Sequence, residues 1–343
     1  MSFKEISFRE KTSWDRIVSS FCCFEIYYLH GYVSAFRAHG DGEPLLIYYN
    51  NNGCRAINVV MVRDLGDIPR LHLSKGELFD LVTPYGYGGF LIEGELPDSF
   101  VDEYQAFCLE NKFLTEFTRM APFVPVVHPY GEVLHVGTTV SMDTSSVQVI
   151  KKNLSSKNRN MIRKAMKNGI TIHHGLSEDL IDAFIPLYNA TMEQNAATKY
   201  YFFKKPFYED ILQNLKDNAL IFYARKEEHI IAMAIILFAN GHAHYHLSCT
   251  DYQYRSLAPM NLLLYEVALW CVDNAINLFH LGGGVGGSKT DSLFEFKKSF
   301  NRYDENEYCV GKYISDNEKY QSLISGKIVT DYFPGYRYRN DGT

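Results

Sequence analysis

The strongest constraint on the fold is a stretch in which apolar runs of strand length alternate with tight turns. Residues 220–224 and 230–238 are such runs, and the short charged segment between them predicts an antiparallel hairpin. Asn240 and Gly241 then favour a two-residue turn into a third strand over residues 242–248, because both tolerate positive φ. The stretch therefore predicts three consecutive antiparallel strands.

A helix and a fourth strand follow, and the first half of the chain repeats part of this pattern. Apolar residues recur at helical spacing over residues 259–274, with a proline in the first turn, and a short apolar run covers residues 278–281. Residues 45–49 and 55–61 form a second predicted hairpin. We therefore predict an α/β (α+β) chain of two related halves, each a mixed, mostly antiparallel sheet flanked by helices.

Composition excludes several classes of protein. The chain is 46% hydrophobic and 22% charged, which is typical of a well-cored globular protein. Its longest apolar run, residues 230–239, is about half of what a membrane-spanning helix needs. The first residues lack the apolar stretch of a secretion signal, so we expect a cytoplasmic protein. Seven cysteines without a C-x-x-C pair indicate reduced thiols, neither a disulfide framework nor a zinc site.

A basic stretch lies near the predicted boundary between domains 1–140 and 141–343. Seven cations fall between residues 151 and 167, and no acidic residue occurs from Thr144 through Ser177. The pattern predicts a linking helix over about residues 153–168, capped by one of two adjacent serines and ended by a glycine. It fits a solvated helix face or a face that contacts phosphate groups.

The most unusual local feature is a run of five glycines around Val285, which is followed by a predicted helix. The run does not fit a dinucleotide-binding fold or a P-loop, but it leaves a backbone that a substrate can approach closely. Ser292 and Glu295 have capping-box spacing. Leu293, Phe296 and Phe300 then share one helical face, and Lys297 lies at its border. Lys297 is thus either a partly desolvated lysine near the loop or a snorkelling surface lysine.

Three histidines alternate on the predicted third strand and could face one side of the sheet. His242, His244 and His246 lack a carboxylate or cysteine at ligand spacing nearby, so a structural or substrate-facing role is favoured over a metal site. No G-x-S-x-G elbow and no recognisable cysteine nucleophile motif occurs. The sequence gives no support for a covalent enzyme intermediate.

The order of predicted elements resembles the GNAT acyltransferase fold, and several segments resemble its FemABX-like branch. Residues 291–300 have the form D-S-L-[FY]-x-F-K-x-x-F, the most specific of these similarities. Three segments are similar to the second domain of that family, namely residues 245–248, 258–261 and 279–283. Two more segments, residues 159–165 and 83–89, resemble FemAB-like proteins of cell-envelope biosynthesis.

The resemblance implies two GNAT-like domains with a cleft between them and an enzyme that forms an amide. Lys297 matches the lysine that stabilises charge at the reacting carbonyl, and His246 lies near a substrate-bordering position and is a candidate base. The implied substrate-binding residues are Phe296, Tyr85, Tyr87, Tyr254, Arg255, Asn261, Arg159, Arg163, Lys164, Gly283 and Gly284. No metal and no tightly bound cofactor is expected.

The expected activity is acyl or aminoacyl transfer to an amine of a cell-envelope precursor, either a peptidoglycan peptide or a nucleotide-linked amino sugar. The donor is aminoacyl-tRNA or acyl-CoA. Residues 255–260 lack the glycines of the loop that holds coenzyme A in typical GNAT enzymes, which favours the first donor. The alternatives are a degenerate module that binds a sugar nucleotide or RNA, and a protein whose duplicated fold serves assembly.

Overall fold

The computed structural model describes residues 2–284, 291–303, 305–324 and 332–338. Its internal contacts divide the chain into two compact units. The first unit comprises Met1–Val136 and Tyr308–Thr343, and the second comprises Gly137–Glu307. The division lies close to the predicted one at residue 140. The prediction differs in placing every later residue in the second domain.

The first unit is built on a mixed sheet. Its elements are β1 (Phe3–Ser7), α1 (Lys11–Ser19), α2 (His30–His39), β2 (Glu43–Asn51), β3 (Cys54–Asp64), β4 (Phe79–Val82), β5 (Phe90–Glu93), α3 (Phe100–Glu110), β6 (Phe113–Arg119) and β7 (Val126–Val127). The strand order is β1-β2-β3-β4-β6, and β5 pairs with β3 and β7. Only the β4–β6 pair among these is parallel. The predicted hairpin is β2–β3, which turns through Asn52 and Gly53 at positive φ.

The second unit has a similar composition of elements. They are β8 (Glu132–Asp143), α4 (Val147–Asn153), α5 (Ser156–Lys167), β9 (Ile170–Gly175), α6 (Glu178–Gln194), α7 (Lys205–Asn214), β10 (Ala219–Lys226), β11 (His229–Ala239), β12 (His242–Thr250), α8 (Pro259–Asp273), β13 (Leu278–Gly282) and α9 (Ser292–Lys298). The strand order is β8-β13-β12-β11-β10-β9, with β12 and β13 parallel and the other neighbours antiparallel. Each unit is thus a mixed, mostly antiparallel sheet with helices, as predicted.

The last described elements return to the first unit. They are β14 (Asn306–Ile314) and α10 (Asn317–Ile324). Residues Val310–Ile314 of β14 pair antiparallel with β6. This long-range pairing is the physical reason why the final part of the chain belongs with the first unit, and no local sequence pattern reveals it.

Helices α5 and α8 share one apolar core of the second unit. The buried residues of α8 include Leu263, Val267 and Cys271, which are inaccessible to solvent. Ile162 and Ala165 of α5 are buried in the same core. Ser155 caps α5, since its Oγ accepts a hydrogen bond from the Asn158 amide at 3.1 Å, and this confirms one of the two predicted caps. None of the helices in the described ranges has the length and apolarity that crossing a bilayer requires.

Candidate active site

A short capped helix positions Lys297. Helix α9 begins at Ser292, and the Asp291 side chain caps it by accepting a hydrogen bond from the Phe294 amide at 3.0 Å. The predicted Ser292 cap is therefore wrong by one residue. The predicted apolar face is also wrong at Leu293, which is 38% exposed, whereas Phe294 and Lys297 are buried.

The Lys297 ammonium is enclosed by protein. The residue is 8% exposed, and its Nζ donates a hydrogen bond to the Gly283 carbonyl oxygen at 2.7 Å. Nζ also lies 5.8 Å from the centre of the Tyr245 ring, a cation–π distance. Burial lowers the pKa of Lys297 to about 8, against the opposing effect of the Asp291 carboxylate. Lys297 is thus a buried, mostly protonated lysine at neutral pH.

The glycines at the end of β13 allow this approach. A Cβ at Gly282, whose φ is +83°, would lie 3.2 Å from Lys297 Nζ. A Cβ at Gly283 would lie 3.1 Å from the Thr138 carbonyl oxygen, and one at Gly284 would overlap the Asp291 carboxylate. Predicted site residues Gly283, Gly284 and Lys297 are therefore brought together. The rest of the glycine run, from Val285, lies outside the described residues.

A β-bulge in β12 changes the predicted histidine arrangement. Ile235 of β11 pairs with Leu247 and Ile236 pairs with Tyr245, so His246 is the extra residue between them. The alternation predicted from His242 through His246 is therefore broken at His246. The bulge also explains why the Tyr245 hydroxyl reaches Ser248 Oγ at 2.5 Å, since residues three apart on a regular strand point to opposite faces.

The electrostatics of His246 argue against a role as a base. Burial and the neighbouring His244 lower the pKa of His246 to about 3, so its imidazole is neutral at neutral pH. Such a weak base is poorly matched to removing a proton from an amine.

In the described part of the chain, no group of three or more histidine, cysteine or acidic side chains is placed to hold a metal ion.

The parallel pairing of β12 and β13 stops beside Lys297. It covers His242–His244 and Leu278–His280. The His244 and His280 rings lie 5.8 Å apart, and burial lowers the pKa of His280 well below its usual value, with smaller effects from His244 and Lys297. Tyr245 and His280 were not singled out as site residues from the sequence. For His280, the available signal was its position two residues before the glycine run.

Phe296 is partly exposed on α9. Its ring packs edge-on against Phe300 with centroids 5.4 Å apart. It is the neighbour of Lys297 on the same helix.

Two further predicted residues, Arg255 and Asn261, line a surface pocket of about 540 Å³. Met161 of α5 and Ala258, which precedes α8, also line it. Asn261 donates a hydrogen bond to Asn158 Oδ1 at 2.9 Å. Tyr254 is not among the lining residues, because it packs against the apolar core of the unit.

The predicted residues of α5 point away from that core. Arg163 and Lys164 are exposed, and Arg159 is partly exposed. Arg159 donates to the Leu154 carbonyl at 2.6 Å and to Ser156 Oγ at 2.9 Å, so its partners are local and neutral.

Tyr85 and Tyr87 belong to an aromatic cluster of the first unit. Tyr32 donates a hydrogen bond to the Tyr85 carbonyl, and the Phe36 ring stacks on Tyr85 at 5.5 Å. Tyr87 makes edge contacts with Tyr27, Phe123 and Tyr308, each at 5.6 Å. Burial raises the pKa of Tyr87 well above its usual value, so the hydroxyl stays protonated.

Comparison with known proteins agrees with this geometry. Residues 156–298 match the family described as acetyltransferase (GNAT) domain. UDP-N-acetylmuramoylpentapeptide-lysine N(6)-alanyltransferase of Weissella viridescens is 25% identical over 176 residues, which cover 49% of this chain and 50% of that protein. The chain is thus similar to GNAT domains over residues 156–298 and resembles a FemABX-like transferase. The chain spans about half the length of the curated relative that it matches.

Two solved structures share the fold of this chain. The crystal structure of FemX aligns with a TM-score of 0.64 and 13% identity, covering 94% of this chain and 100% of FemX. The C-terminal domain of a putative lysylphosphatidylglycerol synthetase from Agrobacterium fabrum aligns with a TM-score of 0.57 and 12% identity, covering 91% of this chain and 94% of that one. The predicted fold class and the predicted resemblance to FemABX-like proteins are confirmed.

Proposed function

We propose that this protein is an aminoacyltransferase that forms an amide on an amine of a nucleotide-linked peptidoglycan precursor. The observation that carries the proposal is the buried Lys297 ammonium at the glycine end of β13. The name of the Weissella viridescens relative, an alanyltransferase that acts on such a precursor, supports the choice of substrates.

The chemistry is a direct transfer. The neutral amine attacks the carbonyl carbon of the activated ester, a C–N bond forms, and the C–O bond of the ester breaks. The amine loses one proton and the departing oxygen takes one up. Negative charge develops on the carbonyl oxygen between these events, and a preorganised donor in a dry site stabilises it.

Lys297 has the geometry for that role. An ammonium group carries three hydrogens, and the contact with the Gly283 carbonyl occupies one of them. We assign the other two to the developing oxyanion. Removing a donor of this kind typically costs about 2.7–4 kcal/mol of transition-state stabilisation, or about 100- to 1,000-fold in rate.

His246 takes a different part from the predicted one. Because its pKa is about 3, it serves as a neutral hydrogen-bonding side chain on the bulge. The proton of the attacking amine then passes to the departing oxygen, directly or through water. This assignment makes the rate insensitive to protonation of a histidine near neutral pH.

The donor we favour is aminoacyl-tRNA over acyl-CoA. In typical acyl-CoA enzymes of this fold, glycine residues before a helix present free amides to the pyrophosphate. Here Ala258 takes the left-handed conformation at φ +59°, and Pro259 has no amide hydrogen to offer. Arg255 and Asn261 in the adjacent pocket are the proposed donor contacts.

Tyr85, Tyr87, Tyr254 and Phe296 stay proposed binding residues for the remainder of the substrates. Tyrosine suits ligands that have both polar and apolar parts. Gly283 and Gly284 are proposed to admit the reacting group beside Lys297, since any side chain there would overlap existing atoms.

The test is a transfer assay with defined substrates. Purified protein is incubated with alanyl-tRNA, another aminoacyl-tRNA or acetyl-CoA, each with a UDP-linked muramoyl pentapeptide or a nucleotide-linked amino sugar. Mass spectrometry of the acceptor detects one added acyl group. We expect product from an aminoacyl-tRNA and the pentapeptide precursor. Product from acetyl-CoA alone would contradict the donor, and no product from any pair would contradict the activity.

A further inference from the structure

Helix α5 carries cations on one side only. Its basic face consists of Lys157, Arg159, Arg163, Lys164 and Lys167. At 100° per residue these positions span an arc of about 160° around the helix axis. The buried residues Asn158, Ile162 and Ala165 lie on the opposite side, where they pack toward α8.

The charges of this basic face are not neutralised by the protein. Across the described residues, none of the five cations has a carboxylate oxygen within 4.0 Å, whereas exposed cations elsewhere, such as Arg37 and Lys205, pair with acids. Arg159 and Arg163 bond only to uncharged oxygens in the contacts seen. The net charge of the whole chain is −6, so this positive surface is local.

The dimensions of the face favour an extended anion. Lys157 and Lys167 are ten residues apart, which places them about 15 Å apart along the axis. One diphosphate cannot reach both ends. A chain of successive phosphates can, as in the backbone of a nucleic acid, where lysine and arginine supply most of the binding energy.

An RNA fits this face better than a membrane does. A helix that binds a bilayer surface inserts an apolar side between the headgroups. On α5 Ile162 is 5% exposed and Ala165 is fully enclosed, so a single apolar side chain, Met166, is left largely exposed, which is too little to insert into a bilayer. In addition, Met161 of the same helix lines the pocket that contains Arg255. A strand that leaves the basic face can therefore enter that pocket.

We propose that the basic face of α5 binds the sugar–phosphate backbone of an RNA. This inference rests on the proposed function, because the RNA is then the carrier part of the aminoacyl donor. The pocket beside Arg255 then receives the end of the RNA that bears the aminoacyl group.

The test measures RNA binding without any transfer chemistry. A fluorescein-labelled, uncharged tRNA transcript is titrated with the full-length protein at several KCl concentrations, and anisotropy gives the affinity. The variant is Lys157→Ala with Lys167→Ala. The matched control replaces two other exposed lysines of the same unit, Lys204→Ala with Lys216→Ala. Alanine preserves α5 at Lys157 and Lys167, and the two control lysines flank α7 (Lys205–Asn214) without being part of it.

The slope of log affinity against log salt concentration is negative. We expect it to be less steep by about 1.8 in the double variant at Lys157 and Lys167, at about 0.9 per lost contact. Relative to the original protein, the affinity of the double variant should then decrease by up to about 60-fold more at 0.1 M KCl than at 1 M KCl. The control should keep the slope of the original protein.

Three results would overturn the inference. The first is no binding of tRNA by the original protein at low salt. The second is the same slope for the two double variants. The third is lysine-dependent binding to phosphatidylglycerol vesicles in place of tRNA. Failure of the proposed function is a separate result: tRNA binding with the expected slopes, but no amide product from any donor, would leave the RNA surface standing. Amide formation from aminoacyl-tRNA, with the same slope for the two double variants, would refute the RNA surface alone, whereas transfer only from acetyl-CoA would also contradict the proposed donor.

Discussion

The buried ammonium of Lys297 should make the folded protein less stable than a neutral side chain of the same length would. Replacing Lys297 by Met removes the charge and keeps most of the length of the side chain. Burial lowers the pKa from 10.5 to about 8. At 1.36 kcal/mol per pKa unit, the charge costs about 3 kcal/mol at pH 7. The lost hydrogen bond to the Gly283 carbonyl offsets about 1 kcal/mol of this, so Lys297→Met should stabilise by about 2 kcal/mol.

The pH dependence follows from the same shift. Between pH 8 and 10.5 the unfolded state binds more protons at Lys297 than the folded state does, so the free energy of unfolding rises with pH in that window. The cost is fully present below pH 8 and disappears above 10.5. The advantage of Lys297→Met should therefore be largest at pH 7 and smaller at pH 9.5.

Urea unfolding followed by circular dichroism at both pH values measures this effect. The control is Lys298→Met on the same helix, where a partly exposed pair with Glu305 at 3.2 Å should contribute no more than about 1 kcal/mol. A Lys297→Met protein that is less stable than the original at pH 7 would refute the reasoning that the ammonium is held at an energetic cost.

Three further predictions test other parts of the structure. The transfer rate should fall as pH rises through about 8, as the buried lysine loses its proton, which a pH–rate profile would show. Gly282→Ala should lower activity strongly because its Cβ would meet the lysine Nζ at 3.2 Å, whereas Gly40→Ala, also at positive φ but in open space, should cost only about 1–2 kcal/mol of stability. Arg337→Ala should destabilise by about 1.5–3 kcal/mol in urea unfolding because the fully buried Asp80 loses one of its two arginine partners and keeps Arg63, whereas the exposed pair of Arg37 predicts a small effect for Arg37→Ala.

The strands of the second unit could be predicted from the sequence because they depend on local features. The turn at Asn240 and Gly241 has the expected positive φ at both residues. The runs on either side of it became β11 and β12, and the predicted helix became α8 from Pro259. Apolar spacing and turn chemistry act over a few residues, so sequence alone is sufficient for them.

The features that the sequence did not reveal depend on partners far along the chain. The bulge at His246 exists only in register with Ile235 and Ile236 of β11. The return of β14 to β6 likewise joins residues far apart in sequence. A period-2 pattern cannot indicate where one strand gains an extra residue, and this is why the predicted histidine alignment was wrong.

The candidate site lies between these two cases. The spacing on α9 placed Lys297 only at the border of an apolar face, and two interpretations stayed open. In the structure Asp291 caps the helix, and Phe294 and Lys297, three residues apart on one face, are both buried. Spacing indicates which side chains share a face of the helix, but not which of two adjoining faces turns inward.

The most direct test of the proposed mechanism is the single-turnover rate of amide formation with Lys297 and with Met in its place. Saturating alanyl-tRNA and the UDP-linked pentapeptide isolate the chemical step, and rapid quench with mass spectrometry follows the product. We predict a decrease of about 100- to 1,000-fold for Lys297→Met and little change for Lys298→Met. Equal rates for the Lys297→Met variant and the original protein would contradict the role of this ammonium in the reaction.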